Sequence, residues 1–61
     1  MEQAITIIRQ IERYLDLSES NIRSGWPYGD VAVYLILARV KIDQLLPVVA
    51  EMHEAELSRP E

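Results

Sequence analysis

The chain has no cysteine, so neither a disulfide nor a thiolate metal site can brace it. That matters at 61 residues. A domain this small buries a poor fraction of its surface and usually needs a disulfide, a metal or a second chain to be stable. With the first excluded, self-association or a partner is the expected source of missing core. Glycine is equally scarce: Gly25 and Gly29 lie in one short stretch, which leaves no glycine-rich phosphate loop. Basic charge is also lacking. Ten acidic residues against six basic ones leave a net charge of −4. A nucleic-acid binder needs a concentrated cationic face, so this balance disfavours one. The longest uncharged apolar run, Val31 to Ala38, is eight residues. Roughly 20 are needed to cross a bilayer, so no membrane span is expected. The opening Met1-Glu2-Gln3 has no basic segment ahead of an apolar core, so no export signal is expected and the location is read as cytoplasmic.

What is present is apolar and periodic. Hydrophobic residues are 49% of the chain, too many for an intrinsically disordered segment. Met1, Ala4, Ile8, Ile11, Leu15, Ser18 and Ile22 recur at steps of three and four, the seam of a bundle helix spanning about 2–24. Gln3, Thr6, Arg9, Gln10, Arg13, Asp16, Ser20 and Arg23 fall on the opposite, wet face. Ser24-Gly25-Trp26-Pro27-Tyr28-Gly29-Asp30 is the strong punctuation, with the turn at about 25–29. Gly25 suits the left-handed position after a helix, and Pro27 the first turn of the next.

A second helix is expected over about 30–57. Val31, Leu35, Ala38, Ile42, Leu45, Val49 and Met52 repeat at steps of four and three. Pro47 removes a backbone donor inside it, so a kink or break near Asp43–Pro47 is expected. Residues 58–61 read as a frayed tail. The expected fold is all-α, an antiparallel helical hairpin, because a short connection forces neighbouring helices to run in opposite directions. Its core is read as Ile8, Ile11, Leu15 and Ile22 against Val31, Leu35, Ala38, Ile42, Leu45 and Val49.

Four apolar residues are then left over on the far side of the second helix: Val33, Ile36, Leu37 and Val40. They are read as an oligomer or partner interface, through which two hairpins make a four-helix bundle. Scattered exposed apolar residues are common on any surface, but four on one face are not scattered. Trp26 and Tyr28 are candidate partner contacts at the bend. Trp26 is expected to fold over the hairpin end and close its core, leaving Tyr28 as the contact.

Chemistry has little to work with. His53 among Glu51, Glu54 and Glu56 could contribute to a bundle metal site only if a dimer supplied a second His53, and a solvated acidic tail is the better reading. The serines cluster at 18–24 and 58, and a hairpin puts His53 at the far end from the first group, so no nucleophile has a base in reach. Catalytic residues, cofactors and metals are therefore expected to be none. Arg9, Arg13 and Arg23 could form a small nucleic-acid face. In outline, such a hairpin pairing into a bundle resembles the plasmid copy-number regulator family, which binds paired RNA loops; the resemblance is one of architecture, without a shared motif. Glu12, Asp16 and Glu19 beside these arginines favour an internally paired, solvated surface.

The expected function is a non-enzymatic protein–protein interaction or regulatory module, an inhibitor or adaptor of a larger protein, working as a homodimer. The alternatives are a small nucleic-acid-binding regulator using Arg9 and Arg13, and a structural subunit of a hetero-complex.

Overall fold

Local chemistry accounts for the boundaries of the two helices. The computed structural model describes residues 2–59, which form α1 (Glu2–Ser24) and α2 (Tyr28–Leu57). The polar run Ser18-Glu19-Ser20-Asn21, a poor helix former, does not end α1, which continues to Ser24. It stops at Gly25, whose φ of +80° is a left-handed conformation that costs glycine little. The Gly25 amide donates to the carbonyls of Asn21 and Ile22 at 3.1 and 3.2 Å, occupying two acceptors that the helix end would leave unpaired.

Pro27 stands just outside α2 as its N-cap, with φ −88° and ψ 133°, rather than in its first turn as expected. A proline there holds the extended backbone from which the helix starts. Asp30 places a carboxylate in the first turn, where the helix dipole favours it. At the other end the Ser58 amide donates to the Glu54 carbonyl at 3.0 Å and the Arg59 amide to the Glu56 carbonyl at 3.3 Å. The expected frayed tail thus begins with two bonded amides. Pro60 and Glu61, the rest of that tail, lie outside the described residues, as does Met1 of the expected seam.

Of the kink or break expected near Asp43–Pro47, the break does not occur. α2 runs through it without interruption. Pro47 is exposed, so the carbonyl deprived of its usual amide donor can turn to solvent.

The two helices pack against each other as a hairpin whose Cα atoms extend 53 × 14 × 13 Å. With only three residues between them, Gly25 to Pro27, the helices run antiparallel. The seam is where the structure departs most from expectation. On α1 the inward residues are Ala4, Ile7, Ile11, Tyr14, Ser18 and Asn21, with Leu17 half-buried beside them; on α2 they are Val31, Tyr34, Ala38, Lys41, Leu45 and Val48. Of the expected core, Val31 and Ala38 are buried and Ile11 and Leu45 half-buried. Ile8, Leu15, Ile22, Leu35, Ile42 and Val49 are exposed.

The reason lies in side-chain size. The tightest positions are Ala4, Ser18 and Ala38, the last two only 4% and 3% exposed. The register of the hairpin puts Tyr14 level with Ala38, and Ser18 level with Tyr34. Each ring thus has a small residue opposite, the large-against-small alternation that lets two helices close up. Lys41 at the seam is half-buried, consistent with an aliphatic stem lying along the contact while its ammonium reaches water.

Candidate interaction faces

The displaced residues are not scattered. Ile8, Leu15 and Ile22 each follow an inward residue of α1 by one position, after Ile7, Tyr14 and Asn21. Leu35, Ile42 and Val49 each follow an inward residue of α2, after Tyr34, Lys41 and Val48. One position is a turn of about 100° about the helix axis. Because the helices run in opposite directions, that same screw step lands on the same side of the pair. The six side chains therefore form one exposed apolar face that straddles both helices and recurs every seven residues. In that register Leu15 lies within about 3 Å along the axis of Leu35, Ile8 of Ile42, and Ile22 of Tyr28. The exposed Ile5 and Leu46 extend the outer edges of this face, where the exposed Glu12 and Arg39 also lie.

The second face is the one read from the sequence. Val33, Ile36, Leu37 and Val40 lie on α2 away from α1, and all four are exposed, Ile36 at 62%. It belongs to α2 alone. Its width suits one added helix, whereas the shared face is as wide as the hairpin.

The turn adds a third feature. Trp26 does not close the hairpin end: it is 76% exposed, and Tyr28 is exposed too. The end is closed by polar contacts instead. The Asn21 side-chain amide donates to the Pro27 carbonyl at 3.2 Å, and the Ser24 hydroxyl lies within hydrogen-bond distance of the Asn21 and Trp26 carbonyls, at 3.0 and 2.8 Å. The sequence reading missed Asn21; its signal was the polar residue at the fourth step of a seam running 7, 11, 14, 18, 21.

Charged groups border these faces rather than fill them. Arg23 pairs with Glu19 at 3.2 Å, one turn apart on α1. Among the described residues Arg9 and Arg13 are exposed without an ion pair. No three of histidine, aspartate and glutamate gather as a metal site among the described residues. No helix among them is long and apolar enough to cross a membrane.

No protein-family model matches the chain, and neither a curated protein nor a solved structure matches it. The outline resemblance to the copy-number regulators therefore gains no support from them, and the functional reading rests on the two faces.

Proposed function

We propose that this chain is a non-enzymatic protein–protein interaction module that works as a homodimer and presents a helical face to a larger protein, as an inhibitor or adaptor does. One observation carries the reading. Among the described residues sixteen large apolar side chains are exposed, while no large side chain is wholly buried. A chain that spends its hydrophobic residues this way has surface meant for something else to cover.

In this reading the stripe Val33, Ile36, Leu37 and Val40 receives the protein partner, with Tyr28 at the turn as a further contact. Covering four half-exposed side chains contributes about 3–6 kcal/mol before the costs of association. The cost of association is of the same size or larger, so Tyr28 and polar contacts with the partner must add to that contribution.

The test is capture from the native host with the wild-type chain and with Leu37→Asp. The variant puts an unpaired charge in the apolar contact while leaving the seam intact. A partner retained by the wild type and lost by a folded Leu37→Asp supports the reading. Identical captures by both chains oppose it. Arg9 and Arg13, exposed and without an ion pair among the described residues, favour the nucleic-acid alternative as the second reading. A gel shift that weakens steeply with salt and disappears in Arg9→Ala/Arg13→Ala would favour it.

A further inference from the structure

We infer that the occupant of the face shared by both helices is a second copy of this chain, and that the two-fold axis of the dimer runs parallel to the helices. This rests on the homodimeric reading above and adds which face pairs, in which orientation.

Area is the first argument. The chain exposes 5171 Å². A compact monomer of 7.0 kDa is expected to expose about 4,000 Å². The excess, roughly 1,100 Å², exceeds the ~800 Å² that each partner contributes to a standard specific interface.

Continuity is the second. The shared face adjoins the seam along its whole length. Inward residues at steps of three and four, plus the residue after every second one, is the pattern of a helix in a four-helix core. A two-helix hairpin has no use for that third position. Two hairpins laid face to face do. The stripe on the far side of α2 stays uncovered in this arrangement, so it remains free for a different protein.

Charge chooses the orientation. Two antiparallel hairpins can meet face to face about either of two axes. With the axis parallel to the helices, α1 of one copy lies along α2 of the other, and the levels of the hairpin are preserved. Glu12 then stands opposite Arg39 of the partner copy, and Ile5 opposite its Leu46, at both outer edges. With the axis across the helices, α1 meets α1 and α2 meets α2 running oppositely. Near the middle of the face, Glu12 then approaches its own copy and so does Arg39. Opposite charges favour the first arrangement and like charges oppose the second.

Three measurements on the full chain decide it. Light scattering after size exclusion should give twice 7.0 kDa for the wild type. Leu15→Asp or Ile42→Asp should shift it to monomer, whereas Leu37→Asp should not. Both sites are exposed in the hairpin, so the variants keep its seam. Glu12→Arg and Arg39→Glu should each weaken the dimer roughly tenfold, because each places two like-charged pairs at the edge, and the double variant should restore it. Finally, spin labels on Ser58→Cys report the axis, since the chain has no other cysteine. Labels within a bundle's width of each other support the parallel axis. Labels separated by about the 53 Å length of the hairpin overturn it.

A dimer opened by Leu37→Asp but not by Leu15→Asp overturns the face assigned here and leaves the homodimeric reading standing. A wild type that stays monomeric at high concentration overturns both. A complex of the wild type with another protein that Leu15→Asp abolishes, in a chain that is otherwise monomeric, assigns the face to that protein and overturns the inference.

Discussion

The side-chain amide of Asn21 donates to the carbonyl of Pro27 at 3.2 Å and ties the last turn of α1 to the N-cap residue of α2. The bond is partly buried and spans the turn, so it bears on the angle at which the helices leave it. Asn21→Ala should lower stability by about 1 kcal/mol, the usual net value of such a bond. Chemical unfolding followed by far-UV circular dichroism, at one fixed protein concentration, checks this. An unchanged midpoint would mean that packing alone sets the turn.

The two glycines should respond in opposite directions. Gly25 has φ +80°, so alanine there meets backbone strain of about 1–2 kcal/mol. Space is not the reason, since the nearest atom to an added Cβ is the Tyr28 hydroxyl oxygen at 3.8 Å, an ordinary contact. Gly29 lies in the first turn of α2 with nothing within 4 Å of an added Cβ. Gly29→Ala should therefore stabilise, by about 0.5–1 kcal/mol. Thermal melts of the two variants, run side by side, should move to either side of the wild type.

Pro47 interrupts hydrogen bonding in a helix that continues regardless. Pro47→Ala should raise stability by about 1–3 kcal/mol through the restored amide donor and the lost ring clash. Helical signal should not fall. A drop in stability would show that the proline shapes the helix in a way the fold requires.

Ser18 is buried, and its hydroxyl is satisfied within its own helix by the Tyr14 carbonyl at 2.9 Å. Removing that hydroxyl leaves no buried partner stranded. Ser18→Ala should lie within about 0.5 kcal/mol of the wild type. Ser18→Leu should cost about 1–3 kcal/mol, because Ser18 is only 4% exposed at the seam and a larger side chain must displace its neighbours. Urea midpoints of both variants test whether size or polarity governs this position.

Much of the local structure could be read from residues alone. Gly25 and Pro27 marked the turn, and the 3–4 periodicity on each side marked the helices. These are short-range effects: φ preferences, missing donors and apolar spacing act within a turn or two. The exposed stripe on α2 was legible for the same reason, since Val33, Ile36, Leu37 and Val40 share a face whatever the tertiary context.

The seam was not legible. On α1 the runs 4, 8, 11, 15, 18, 22 and 4, 7, 11, 14, 18, 21 both satisfy helical spacing, and they share Ala4, Ile11 and Ser18. Apolarity favoured the first, with Ile8, Leu15 and Ile22. Close approach favoured the second, because Tyr14 and Tyr34 find Ala38 and Ser18 across from them. Trp26 was misread for a related reason: its indole was assigned to a hairpin end that Asn21 and Ser24 already close with hydrogen bonds.

By itself, then, the sequence determined two helices, the short turn between them and the surplus of apolar side chains. The tertiary structure decided which of two adjacent stripes closes the hairpin, and thereby which one stays open. Hydrophobicity only requires that a stripe be covered. Complementary side-chain size across the seam selects the stripe that a single neighbouring helix can cover.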